Sequence, residues 1–88
     1  MNINLKVLGD NIRRSRLSRQ MAQQELANKC GLCRGFVGDT ERGTRNLSYL
    51  SLLKLAQGLG TTVSDLTYNL EFLARLPLEA TTDKRRRR

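Results

Sequence analysis

Cys30 and Cys33 form a C-x-x-C pair, a spacing that suits either a metal site or a redox couple. A closed zinc site needs four ligands. The chain has no histidine and no third cysteine, so it is read as metal-free and without a cofactor. Redox chemistry would rest on Cys33, because the start of a helix favours a thiolate. The pair spans a corner between two helical segments, however, and not the strand–helix junction of disulfide oxidoreductases. The plainer reading is core packing for Cys30 and a cap substitute for Cys33. Catalysis finds no other foothold: there is no GxxxxGK phosphate loop and no acidic pair in a plausible cleft, so no enzyme is expected.

Arginine is the remaining source of chemistry. Arg16 recurs with Leu5, Leu8 and Ile12 at three- and four-residue intervals, which places a guanidinium on the apolar stripe of a helix over 5–19. Such a charge needs a carboxylate nearby, and Glu41 is the candidate. Arg13, Arg14 and Arg19 fall largely off the stripe, free for solvent or phosphates.

The elements that must position these groups centre on residues 21–46. Met21, Leu26, Ala27 and Cys30 have helical spacing; Gly31-Leu32 breaks the run, and a second segment from Cys33 to Arg42 closes at Gly43. The break is so short that the second helix must turn sharply, with Leu32 plugging the corner. Two short helices across such a turn form a helix-turn-helix, whose second helix can enter the DNA major groove. Ala22 is a poor cap for the first of them, costing about 1 kcal/mol against Ser or Thr. Gly35 and Gly38 each cost the second about 1 kcal/mol of helix propensity, so packing through Phe36 and Val37 must hold it. Glycine also lets another backbone approach, whether DNA or a neighbouring helix.

Residues 43–47 read as a loop. Ser48 caps a fourth helix that ends at Gly58-Leu59-Gly60, with Leu52, Leu55, Ala56 and Leu59 inward and Leu50 and Leu53 widening the face. Ser64 is expected to cap a fifth helix from Asp65 to about Leu76, stopped by Pro77. Leu66, Leu70 and Leu73 line one side of it and Tyr68, Phe72 and Leu76 another. A helix apolar on two sides needs two partners, which points to a second subunit.

The chain has 88 residues and a net charge of +8. Residues 84–88, KRRRR, carry five of the positive charges and leave +3 for residues 1–83. We divide it into one domain over 1–76 and a basic tail over 77–88, the tail predicted to be disordered. So small a core gains from oligomerisation, and the basic field suits a polyanion. No apolar run reaches the length of a membrane span and no signal-peptide layout opens the chain, so a cytoplasmic location is expected, where the cysteines stay as thiols.

Gln23, Glu25-Leu26-Ala27, Gly31-Leu32, Glu41-Arg42-Gly43, Leu55-Ala56 and Leu59-Gly60 together resemble the Cro/CI-type (XRE) helix-turn-helix DNA-binding domain over about residues 5–70. Within that family, RGFVGDTERGTRN is most similar to controller proteins of restriction–modification systems. The resemblance implies an all-α fold, a compact five-helix bundle of the lambda-repressor type. It also implies a homodimer on double-stranded DNA at a roughly palindromic operator, activating or repressing transcription. Gln23 would hold a phosphate. Cys33, Arg34, Gly35, Gly38 and Asp39 would face the bases, and Arg42, Thr44, Arg45 and Asn46 the DNA backbone. Arg16 and Glu41 match the family's core ion pair, and Leu50, Tyr68, Phe72 and Leu76 are assigned to the dimer interface. Ala22, Cys33, Gln20 and Thr40 depart from the family's pattern, so the target sequence is not inherited.

Arg34 is the leading reader, because its planar fork can bond O6 and N7 of guanine together, worth about 1–3 kcal/mol of discrimination. Asp39 can accept from cytosine N4 or orient Arg42 or Arg34. Thr44, Arg45 and Asn46 suit phosphates, which fix register without reading sequence. With few side chains reaching bases, DNA deformation between half-sites would add specificity. A regulator of this kind can also contact RNA polymerase. The competing reading is an antitoxin that binds its own promoter and sequesters a toxin, although residues 77–88 make a short toxin-binding arm.

Overall fold

The stripe of Leu8, Ile12 and Arg16 turns inward along α1, Ile3–Ser18, and all three side chains are buried. The computed structural model describes residues 3–68 and residue 70. Four further helices follow: α2 Gln23–Cys30, α3 Arg34–Arg42, α4 Tyr49–Leu59 and α5 Val63–Leu66. No strand occurs among the described residues, as the all-α expectation requires. Leu26, Ala27 and Cys30 of α2, Val37 of α3, Leu55, Ala56 and Leu59 of α4 and Leu66 of α5 join Leu8 and Ile12 in one core.

The corner between α2 and α3 is made by backbone geometry. Gly31 has φ 72°, a left-handed conformation that costs a residue with a Cβ about 1–2 kcal/mol. The Leu32 amide then bonds the Ala27 carbonyl at 2.9 Å, and its side chain packs against the core. At the start of α2 the Ala22 amide donates to Glu25 Oε1 at 2.8 Å. That is the half of a capping box that needs no hydroxyl at the cap. Close packing does the rest. A Cβ on Gly9 would lie 2.4 Å from the Thr40 carbonyl oxygen and 2.6 Å from that of Glu41, so α1 and α3 touch backbone to backbone there.

Three expectations need correction. Ser48 caps α4, accepting from the Ser51 amide at 3.1 Å, but the cap of α5 is Thr62 and not Ser64. Thr62 is extended, at φ −113° and ψ 157°, and its Oγ1 accepts from the Asp65 amide at 3.0 Å. Ser64 already lies inside the helix. Secondly, α5 ends at Leu66 instead of running on unbroken. The Asn11 side-chain amide of α1 takes the carbonyls of Leu66 at 2.8 Å and Tyr68 at 3.3 Å. Thr67 Oγ1 takes that of Val63 at 2.8 Å. Leu70 is helical again. The expected helical stretch over residues 71–76, Phe72 and Leu76 included, and the tail over 77–88 lie outside the described residues. Thirdly, Cys33 occupies the N-cap position of α3, but its thiol makes no capping bond.

Candidate nucleic-acid interface

The interface is built outward from the buried ion pair. Arg16 Nε donates to Glu41 Oε2 at 2.6 Å and Nη2 to Glu41 Oε1 at 3.0 Å, while Nη1 donates to the Met21 carbonyl at 2.7 Å. The two side chains are only 8% and 4% exposed. The hydrogen bond to Glu41 raises the Arg16 pKa; burial opposes it, and the Glu41 charge adds to the rise. The pair locks α1 to the last turn of α3. It reaches the surface through Gln23, whose Nε2 donates to Glu41 Oε1 at 3.0 Å. Arg34 Nη1 then approaches Gln23 Oε1 at 3.5 Å. The first residue of α2 and the first of α3 are thus held on a chain of contacts that begins in the core.

Gly38 lies under the same two elements. A Cβ there would sit 3.5 Å from Arg42 Nη1 and 3.6 Å from Gln23 Oε1, so in the free protein the residue is buried beneath polar side-chain ends. Gly35, one turn earlier, is exposed and has nothing within 4 Å of its Cβ position. Of the two expected uses of glycine, Gly38 meets its own protein and Gly35 faces open space. Cys33 and Arg34 are exposed beside it.

Asp39 organises the loop that follows. Its carboxylate pairs with Arg42 Nη2 and, at 3.5 Å, with Arg45 Nη2. Its carbonyl accepts from both the amide and the hydroxyl of Thr44, each at 3.1 Å. Gly43, at φ 78°, makes the reversal that returns Thr44 to α3. Arg45 also lies over the Phe36 ring, 4.6 Å from its centroid, a cation–π distance. Sequence reasoning placed Phe36 with Val37 in the core. Val37 is fully buried, whereas Phe36 is half-buried and carries Arg45. No spacing rule links the two across a helix end, which is why the contact was missed. Asn46 is exposed at the end of the loop.

The site therefore gathers Gln23, Arg34, Gly38, Asp39, Arg42, Thr44 and Arg45 by direct contacts, with Cys33 and Gly35 on the first turn of α3. Leu50 and Tyr68, assigned to a dimer interface, are 67% and 71% exposed. Cys30 is buried and Cys33 exposed, and both are free thiols. Burial pushes the Cys30 pKa up, partly offset by a hydrogen bond with the Gly58 backbone. Among the described residues no group of three or more His, Cys, Asp or Glu is placed to hold a metal ion.

A helix-turn-helix family model matches residues 12–66, which takes in α2, the corner, α3 and the core around them. The chain belongs to the helix-turn-helix family of DNA-binding transcriptional regulators. It is 41% identical to the control protein C.BamHI of Bacillus amyloliquefaciens, over 75% of this chain and 84% of that one. With the control protein C.SmaI of Serratia marcescens it shares 36% identity over 69% of this chain and 73% of that one. The crystal structure of the restriction–modification controller protein C.AhdI of Aeromonas hydrophila superposes with a TM-score of 0.73. That match has 37% identity and covers 74% of this chain and 98% of that one. The resemblance read from Gln23 to Gly60 is borne out at the level of family and fold. This helix-turn-helix regulator is homologous to the controller proteins. No described helix is long and apolar enough to cross a membrane.

Proposed function

We propose that this regulator acts as a homodimer on a two-fold symmetric operator in cytoplasmic double-stranded DNA, in the manner of a restriction–modification controller protein, and has no enzymatic activity. The observation that carries the reading is the position of Arg34. It is exposed on the first turn of α3 and held from behind by Gln23, Glu41 and Arg16. The N-terminal residues of a recognition helix are those that meet base edges. Arg34 reads guanine, with Cys33, Gly35, Gly38 and Asp39 on the base-facing side of α3. Gln23, Arg42, Thr44, Arg45 and Asn46 hold the phosphates. Exposed Leu50 and Tyr68 support a second subunit docking on the α4–α5 side, and Phe72 and Leu76 are assigned to it from their sequence pattern alone. A protein partner, RNA polymerase for an activator or a toxin for an antitoxin, would use surface outside the α2–α3 face.

Binding of two variants to a selected operator tests the division of labour. Arg34→Ala relaxes preference at one or two base pairs per half-site, losing about 1–3 kcal/mol of discrimination. Arg45→Ala weakens operator binding without changing which bases are preferred, and makes the salt dependence on the operator shallower by about one phosphate. Should Arg34→Ala also weaken every sequence equally, Arg34 is a phosphate contact and the assignment fails.

A further inference from the structure

Asp39 puts a negative charge among the arginines of this face, Arg34, Arg42 and Arg45. Its carboxylate is 38% exposed and engages at once Arg42, at the end of α3, and Arg45, in the loop that follows, two guanidiniums proposed to clamp phosphates. Neither arginine pairs with another carboxylate among the described residues. Arg34, by contrast, meets the neutral Gln23 and pairs with no carboxylate among the described residues. The proposed reading residue thus keeps its full charge, while the sequence-blind pair has one negative charge set against its two positive ones.

We propose that Asp39 is a specificity-determining residue that works against non-operator DNA, by offsetting about half the charge of Arg42 and Arg45 until an operator is docked. The inference rests on the DNA-binding role assigned to this face. Non-specific affinity comes almost entirely from cations meeting phosphates. A carboxylate bound to two of those cations lowers it directly. A partly exposed ion pair is weak and readily exchanged, so a phosphate brought close by correct docking displaces Asp39 from an arginine. The freed carboxylate can then accept from a cytosine N4. On an unmatched sequence it faces base acceptors or phosphates and repels them, which penalises the wrong partner. The Thr44 bonds to the Asp39 carbonyl hold the loop in place throughout and do not depend on the charge.

The test compares wild type, Asp39→Asn, Arg45→Ala and the double variant on two duplexes, a selected operator and one of random sequence, across a salt series. Asn preserves the shape and an acceptor oxygen but removes the charge. Asp39→Asn should bind random duplex about five- to ten-fold more tightly at 0.1 M salt, with a log–log salt slope steeper by about one, as one additional phosphate contact gives. Operator affinity should change less, so the ratio between the duplexes falls. Adding Arg45→Ala should abolish most of the gain. A merely structural role for Asp39 would lower the unfolding midpoint and weaken both duplexes equally, leaving the slope unchanged. A pure base-reading role would shift preference at one base pair and leave random-duplex binding alone. Either result overturns the proposal. If Arg45→Ala by itself leaves operator binding untouched, the face does not hold DNA and the reading beneath the inference falls with it.

Discussion

Removing the Glu41 carboxylate should come close to unfolding the protein. In Glu41→Ala the Arg16 guanidinium loses the partners of Nε and Nη2 and keeps only the Met21 carbonyl. Gln23 Nε2 loses its acceptor as well. The Arg16 side chain is 8% exposed, so water cannot replace the carboxylate without opening the core. Breaking a buried pair in this way costs about 3–5 kcal/mol. Native stability at about 0.05–0.15 kcal/mol per residue gives a chain of this size roughly 4–13 kcal/mol in all, so a large share is lost. Urea unfolding followed by circular dichroism should show the midpoint falling by about 1 M or more, for a slope of about 1–3 kcal/mol/M. Arg16→Met with Glu41→Leu should recover most of the loss, because apolar replacement of a buried pair is often neutral or stabilising. A Glu41→Ala loss under about 1 kcal/mol would refute the view that this pair locks α1 to α3.

Other substitutions probe the packing around that lock. Gly9→Ala should destabilise by about 1–3 kcal/mol despite its better helix propensity, because the new Cβ meets two backbone oxygens of α3 that cannot step aside; an unchanged melting temperature would contradict the close approach. Gln20→Gly and Thr40→Val should each add roughly 1 kcal/mol of stability, read as a higher urea midpoint. Gln20 has φ 58°, and Thr40 Oγ1 is buried without a hydrogen-bond partner among the described residues. One thiol per native chain, Cys33, should react quickly with a disulfide reagent, and the second only on unfolding. Because burial raises the Cys30 pKa, folding favours the protonated thiol. That contribution is full below the pH at which an unfolded thiol ionises and is lost as pH rises through the folded value. A Cys30→Ala variant should therefore lose less stability than wild type in the alkaline range.

The parts of this structure legible in the sequence were those fixed by local rules or by unavoidable pairing. Gly31 and Gly43 mark helix ends because each holds a positive φ, and the spacing between them leaves room for one short helix. Arg16 on an apolar stripe demanded a carboxylate, and only a partner across the core would serve. What the sequence concealed depends on contacts between distant residues. Asn11 ends α5 by taking carbonyls at 66 and 68, which nothing near Leu66 announces. Thr62 and Ser64 both carry hydroxyls two positions apart, so the cap is settled by where the backbone leaves extended geometry. Phe36 looked like core because aromatic residues usually bury themselves, yet here the ring supports Arg45. The double engagement of Asp39 follows from the turn at Gly43, which brings Arg45 back beside α3. Gly43 was read as a helix end, and Asp39 orienting Arg42 was among the readings of that carboxylate; the return of Arg45 to it was not.

The central claim is that α3 presents Arg34 to bases, in two copies, on a symmetric site. Selection of bound sequences from random duplex DNA at two salt concentrations tests it most directly. The account predicts enrichment of a two-fold symmetric sequence with half-sites about one helical turn apart, retained at the higher salt and blurred at one or two positions per half-site by Arg34→Ala. Unenriched binding that disappears at the higher salt would contradict it, and would assign the DNA affinity to non-specific attraction by the KRRRR segment.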